Sequence, residues 1–102
     1  MDKTTAINIA QQYMQLVYQK YAVKKSMLFG SFAKGNFNDD SDIDIAIVLT
    51  NPTDIIDAQI DMMKLRRSID LRIEPHPFLL NDFSNLNPVA NEIMKYGIEL
   101  SA

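Results

Sequence analysis

The chain has 102 residues, of which 47% are hydrophobic and 23% are charged, and its formal net charge is −3 at pH 7. This composition is typical of a single folded domain and excludes disorder as the main state. The absence of cysteine excludes disulfide frameworks and thiolate metal sites, and the acidic balance argues against nucleic-acid binding through phosphate neutralisation. No apolar run reaches the roughly 20 residues of a membrane span, and no signal peptide is evident, so we expect a cytoplasmic protein.

The first half of the chain alternates between helical and strand periodicity. Apolar residues recur at helical spacing over residues 4–21, which predicts an amphipathic helix. A short apolar run at 26–29 predicts a buried strand, and residues 32–34 predict a helical turn. The clearest strand covers 42–49, where isoleucine occupies alternate positions. An Asn-Pro-Thr turn at 51–53 follows it.

The second half continues the alternation. Residues 54–67 predict an amphipathic helix with acidic residues in its first turn and basic residues in its last. A third strand over 69–74 is expected to stop at Pro75-His76-Pro77, because proline cannot donate a ladder hydrogen bond. Asn87-Pro88 is typical of an N-cap and first helical position for a helix over 89–96, which Gly97 closes. A short strand over 98–100 follows. This order predicts an α/β (α+β) fold, a mixed β-sheet with helices packed on it, with the whole chain as one domain.

Two aspartates at the start of the clearest strand are the first candidate functional residues. Asp42 and Asp44 are two residues apart, so a strand presents both carboxylates on one face, with Ile43 and Ile45 on the other. Two like charges side by side are unfavourable unless a cation lies between them. Magnesium is the obvious cation, because it commonly binds one or two carboxylates together with substrate phosphates. The alternative interpretation is a solvated face of the sheet.

The Gly30-Ser31 pair indicates where such phosphates would bind. It follows a buried strand and opens a helical turn, and the N–H groups at a helix N-terminus attract anions. Glycine lets a phosphate approach the backbone closely, and the serine hydroxyl donates a further hydrogen bond. Lys34 is near enough to add positive charge, although a solvated lysine fits the sequence equally well.

A third carboxylate is expected from the following strand. Asp70 shares a predicted strand face with Glu74, and it reaches the same site if that strand pairs with residues 42–49. Two metal ions about 3.5–4 Å apart need several carboxylates between them. Glu74, at the strand end, is the competing choice for this role. His76 is interpreted as a surface or capping residue of a turn.

The segment from Gly30 to Asp44 resembles the signature of the nucleotidyltransferase superfamily that shares a DNA polymerase β-like palm. Gly30-Ser31, ten residues and then Asp42-x-Asp44 match its G-S-x10-D-x-D pattern. The flanking Ala33, Gly35 and Ser41 are similar to those of the minimal nucleotidyltransferases (MNT). The likeness extends over nearly the whole chain, including the closing segment at 87–98.

This resemblance implies a small nucleotidyltransferase core with ATP as substrate and two Mg²⁺ ions as cofactors. It implies that Gly30 and Ser31 contact the triphosphate, and that Asp42 and Asp44 bind the two metal ions. By the same resemblance, Asp70 would be the third metal ligand and a base toward the attacking hydroxyl.

The shortness of the chain makes it similar to the MNT half of HEPN/MNT toxin–antitoxin pairs. That likeness implies an antitoxin that transfers AMP from ATP to a tyrosine hydroxyl of a HEPN-domain RNase toxin. Two alternatives stay open: an antitoxin that neutralises its toxin by binding alone, and a nucleotidyltransferase that modifies a small-molecule antibiotic. None of these functions requires a membrane or direct contact with nucleic acid.

Overall fold

Helices and strands alternate along the chain in the predicted order. The structure is a computed structural model that describes residues 1–51 and 53–100; Pro52, in the predicted turn at 51–53, lies outside the described residues. The described elements are α1 (Lys3–Lys20), β1 (Val23–Phe29), α2 (Ser31–Lys34), β2 (Ile43–Leu49), α3 (Ile55–Leu65), β3 (Ile73–Leu79), α4 (Pro88–Tyr96) and β4 (Ile98–Leu100). Single 3-10 turns at Arg66–Ser68 and Leu80–Asp82 follow α3 and β3. Within these ranges no helix combines the length and the apolar character needed to span a bilayer.

The strands form one mixed sheet in the order β3-β2-β1-β4. β1 is antiparallel to both β2 and β4, whereas β2 and β3 are parallel. Parallel strands cannot be joined by a tight hairpin, and here α3 supplies the crossover between them. The prediction of a mixed sheet with helices packed on it is therefore confirmed.

Alternation along β2 divides the sheet into two faces. Ile43, Ile45 and Ile47 are fully buried on one face, in a core shared with α1 and α3. Burial of an aliphatic side chain of this size contributes about 1.5–3 kcal/mol. Helix α1 meets this face with an apolar stripe at helical spacing, made of Ala6, Ala10, Tyr13 and Val17.

The opposite face of the sheet, which we call the α4 face, carries the polar residues of interest. Met27 and Ala46 are buried there against Ile93 of α4. Asp44 lies on this face because it alternates with the buried isoleucines of β2. Its cross-strand partner in β1 is Phe29. The α4 face therefore brings the start of β2 next to the end of β1.

Helix α4 begins and ends as predicted. The Asn87 side chain accepts hydrogen bonds from the N–H groups of Val89 and Ala90 at 3.0 and 3.2 Å, and Pro88 occupies the first turn. At the other end the Gly97 N–H donates to the carbonyl of Ile93 at 2.7 Å. Strand β4 follows directly and pairs with β1, so both ends of α4 are fixed.

Strand β3 differs from the prediction. It covers Ile73–Leu79, so the Pro75-His76-Pro77 segment lies inside the strand instead of ending it. β3 is an edge strand, and an edge strand accepts proline where the missing N–H would face away from its partner. The Pro75 carbonyl accepts a hydrogen bond from the side chain of Gln59 of α3 at 2.8 Å. Residues 69–72, predicted as strand, form the turn that precedes β3.

Candidate functional site

Asp44 is the centre of the candidate site. Its backbone pairs with Phe29 of β1 on one side and with Glu74 of β3 on the other. Its Oδ1 atom lies 3.1 Å from Nε2 of His76, within hydrogen-bond distance. The Asp44 side chain is 26% exposed. The carboxylate is thus held in position and still open to solvent.

Gly30 is required at its position by the closeness of Asp44. Its φ of +75° and ψ of −149° belong to a region that is essentially restricted to glycine. A Cβ atom on this residue would lie 2.4 Å from Oδ2 of Asp44. The chain can therefore pass directly beside the carboxylate only because it carries no side chain there. The two halves of the G-S-x10-D-x-D signature meet at this contact.

Ser31 begins α2, a helix of four residues that ends at Gly35. The Gly35 N–H donates to the Ser31 carbonyl at 2.9 Å. The first N–H groups of a helix have no acceptor within the helix. Because α2 begins directly after Gly30, its first N–H groups lie next to the Gly30–Asp44 contact. Asp42 directly precedes β2 and is exposed. Asp42 lies outside β2, which begins at Ile43, so its place on the same face as Asp44 stays a prediction from the two-residue spacing.

The structure separates the two choices for a third carboxylate. Asp70 lies in the turn before β3, where its carboxylate accepts hydrogen bonds from Nε and Nη2 of Arg72 at 3.0 and 2.7 Å. These side-chain hydrogen bonds hold the pKa of Asp70 below its ordinary value. Glu74 is the residue that pairs with Asp44 across the sheet, and it lies 3.2 Å from Nη1 of Arg66. The expectation that Asp70 lies in a strand is wrong, because β3 begins only at Ile73.

Lys34 contacts α4. It forms an ion pair with Glu92, and its Nζ lies 5.5 Å from the centre of the Tyr96 ring. The hydrogen bond within the pair raises the pKa of Lys34 and lowers the pKa of Glu92. The two side chains are 41% and 55% exposed, so water competes with the ion pair. The predicted contact of Lys34 with phosphate would require it to leave Glu92.

His76 belongs to the site although the sequence interpretation put it in a turn. It lies inside β3, with its Nε2 at Asp44 and its ring 4.9 Å from the Phe29 ring in an edge-on contact. The signal that would have found it is the two-residue spacing of Glu74, His76 and Phe78, which continues the strand period past both prolines.

The donor set fits magnesium shared with a nucleotide. Among residues 1–51 and 53–100, no group of three or more acidic, histidine or cysteine side chains is arranged to hold a metal ion alone. Magnesium usually keeps several other ligands and binds to one or two carboxylates plus substrate phosphates. Asp42 and Asp44 are the two carboxylates that the sequence predicts for this role, and the backbone of Gly30, which carries no side chain, passes directly beside the carboxylate of Asp44.

The chain belongs to the polymerase β nucleotidyltransferase family. The family model described as "Polymerase beta, Nucleotidyltransferase" matches residues 11–101, a range that includes all four strands and the G-S-x10-D-x-D segment. The resemblance to the nucleotidyltransferase superfamily that shares a polymerase β-like palm is thereby confirmed. No curated protein matches the chain.

Solved structures share the fold. A Sulfolobus solfataricus protein described as a candidate nucleotidyltransferase is 20% identical with a TM-score of 0.68, and the match covers 95% of this chain and 80% of that one. A toxin–antitoxin structure with AMP-PNP is 24% identical, with a TM-score of 0.66 over 93% of this chain and 73% of that one. A variant of the MntA-HpeT toxin–antitoxin is 22% identical, with a TM-score of 0.64 over 89% and 70%. At these identities the likeness shows the fold alone.

Proposed function

We propose that the protein is an antitoxin-type adenylyltransferase that transfers AMP from ATP to a tyrosine hydroxyl of a HEPN-domain toxin. The observation that carries this proposal is the contact between Gly30 and Asp44 in a chain of the polymerase β nucleotidyltransferase family. A side-chain-free backbone and a carboxylate lie against each other at this point. A triphosphate and a divalent cation that bridges it to the protein are the ligands that suit such a pair.

The signature residues divide between the nucleotide and the metal ions. Gly30 and Ser31 bind the phosphates through backbone N–H groups and the serine hydroxyl. Asp42 and Asp44 would hold the two Mg²⁺ ions. When bound, magnesium neutralises the charge that develops on the transferred group and activates the attacking oxygen.

His76 and Gly30 position Asp44 for this task. His76 contacts Oδ1 of the carboxylate, and Gly30 packs beside Oδ2, so both oxygens have fixed neighbours. A metal ligand that is already oriented loses less freedom when the metal binds, and such supporting contacts tune metal sites. His76 is therefore a positioning residue in this proposal.

The proposed reaction is an in-line displacement at the α-phosphorus of ATP. The tyrosine oxygen of the partner forms a bond to the α-phosphorus, while the bond from that phosphorus to the oxygen bridging toward the β-phosphate breaks. Pyrophosphate leaves with the bonding electron pair, and the phenolic proton passes to a carboxylate of the site. Both carboxylates have an arginine partner, and Glu74 is favoured over Asp70 as this base and third ligand because it pairs with Asp44 across the sheet, whereas Asp70 lies in the turn before β3.

The toxin partner is supported by the fold shared with toxin–antitoxin proteins, one of them solved with AMP-PNP. It is also supported by the likeness of the sequence to the MNT half of HEPN/MNT pairs. The partner would supply the acceptor tyrosine, and the proposed chemistry needs no further domain in this chain.

AMP transfer is tested with ATP radiolabelled at the α-phosphate, added with Mg²⁺ to a lysate of the cells that produce the protein. We expect a labelled band that protease removes and RNase leaves, and that is absent with Asp44→Asn and Asp42→Asn. Asp40→Asn, a matched change at an exposed loop residue, should retain the label. ATP labelled at the γ-phosphate should label nothing through this protein, because that phosphate leaves with pyrophosphate. A band that persists in Asp44→Asn would contradict the metal assignment, and no labelled macromolecule would favour neutralisation by binding or a small-molecule acceptor.

A further inference from the structure

A cavity between the sheet and α4 opens next to the proposed phosphate site. Its volume is about 190 Å³, below the roughly 300–1,000 Å³ of pockets that enclose a whole drug-sized ligand. It therefore suits one part of a larger molecule. The lining residues are Phe29, Gly30, Lys34, Val89, Glu92, Ile93 and Tyr96. Because Gly30 also contacts Asp44, the cavity and the proposed phosphate site share a wall.

The cavity has the lining that a flat aromatic ring requires. Phe29 and Ile93 belong to the small apolar cluster beneath α4. Val89 and Tyr96 are 55% and 53% exposed and form its outer part. A nucleobase stacks on aromatic side chains of this kind whatever its identity, because every base has a π-face.

Two charged residues border the same cavity from opposite sides. Lys34 of α2 and Glu92 of α4 form an ion pair there, and Lys34 also lies over the Tyr96 ring at 5.5 Å. Exposed ion pairs contribute little to stability, so this one opens easily. Once apart, the Lys34 ammonium is free to meet a phosphate, and the Glu92 carboxylate can accept a hydrogen bond from an exocyclic amine such as that of adenine.

We infer that this cavity is the subsite for the nucleoside of ATP, with the base stacked on Tyr96. The inference rests on the proposed function and assigns a specificity-determining residue to it. The tyrosine ring of an acceptor protein is the other aromatic group that would fit. The base is favoured because the cavity reaches Gly30, where the phosphates of the same molecule bind in the proposed function. Lys34 at its border also suits a polyanion better than a neutral phenol.

Calorimetric titration of the full chain in the presence of Mg²⁺ tests the subsite with two probes. ATP carries the base, and tripolyphosphate lacks it. Tyr96→Leu should weaken ATP binding about 5- to 100-fold, the range of base–aromatic stacking, and leave tripolyphosphate binding unchanged. Tyr96→Phe keeps the ring and should keep the affinity for ATP. Met94→Ala is the matched control, since Met94 lies on the same helix but does not line the cavity.

The outcomes separate this inference from the proposed function. An unchanged ATP affinity in Tyr96→Leu, or an equal loss for both probes, overturns the subsite and leaves the proposed function standing. If Tyr96→Leu leaves the ATP affinity unchanged but abolishes AMP transfer to protein, the cavity binds the acceptor tyrosine instead of the base. If neither probe binds the wild-type protein, the proposed function fails and the subsite fails with it. Val89→Gln, at a second exposed lining residue, must also weaken the binding of ATP and leave the binding of tripolyphosphate unchanged. Thermal melts check that each variant is folded.

Discussion

Replacement of Gly30 by alanine tests the contact on which the site depends. The added Cβ would lie 2.4 Å from Oδ2 of Asp44 and 3.3 Å from its Cγ, so the carboxylate must turn away or the backbone must move. A non-glycine residue at this φ and ψ costs about 1–3 kcal/mol, and loss of the hydrogen bond between His76 and Asp44 adds about 1 kcal/mol. We expect the free energy of unfolding to fall by about 2–4 kcal/mol, or roughly 8–30 °C in Tm for a domain of this size.

The assay is urea unfolding followed by circular dichroism, with Gly35→Ala as the matched control. Gly35 also has a positive φ, +86°, but a Cβ there would meet no atom within 4 Å. Its replacement should therefore cost only the backbone strain of about 1–2 kcal/mol. Repeating Gly30→Ala in an Asp44→Ala background removes Oδ2 and Cγ, the two closest atoms, and leaves the Cβ of residue 44 at 3.5 Å, an ordinary van der Waals contact. The cost should then drop by about 1 kcal/mol or more, which is the coupling energy between the two positions.

Two results would refute this reasoning. One is a Gly30→Ala protein that is no less stable than Gly35→Ala. The other is a cost of Gly30→Ala that is the same with and without the Asp44 side chain, since the contact between the two residues would then be energetically silent.

Three further predictions concern His76, Asp70 and Glu74. His76→Ala should lower the rate of AMP transfer about 10- to 100-fold, and His76→Gln, whose amide can donate a hydrogen bond to Asp44, should restore part of that rate. An alanine variant with an unchanged rate would show that His76 has only a structural role. Arg72 lowers the pKa of Asp70 from its ordinary 3.8, so this carboxylate stabilises the fold above that pH and loses its effect as the pH falls through the lower folded value. Urea midpoints of the wild type and Asp70→Asn should therefore differ at neutral pH and converge in acid, whereas a constant difference would contradict the linkage. Glu74→Gln should abolish AMP transfer and Asp70→Asn should retain it in the radiolabelling assay; the reverse pattern would identify Asp70 as the third carboxylate.

Short-range patterns predicted the part of the site that lies close together in the chain. Gly30 and Asp44 are joined by one helical turn and one loop, and β1 and β2 are antiparallel neighbours. The alternating isoleucines of β2 show which face packs into the core with α1 and α3, so they also indicate that Asp44 lies on the opposite face. Asn87 and Gly97 marked α4 for the same reason, since helix caps act within a few residues of the helix end.

The course of β3 could not be predicted from its own residues. Proline disfavours a central strand, and the stop at Pro75 follows from that preference. Whether a strand is central or at an edge depends on the order of the strands in the sheet. In this sheet β3 lies outermost, so Pro75 and Pro77 are tolerated and the strand continues to Leu79.

The sequence by itself therefore determined the family, and it predicted Asp42, Asp44 and Gly30 as site residues, because these depend on spacing within a single strand–turn–strand segment. Only the tertiary structure decided which side chains surround Asp44. His76 reaches it across 32 residues, and Lys34 meets Glu92 across 58. Such pairs are set by the register of parallel strands joined through a crossover helix and by the docking of α4 on the sheet. Both are packing outcomes of the whole core, and no local periodicity specifies them.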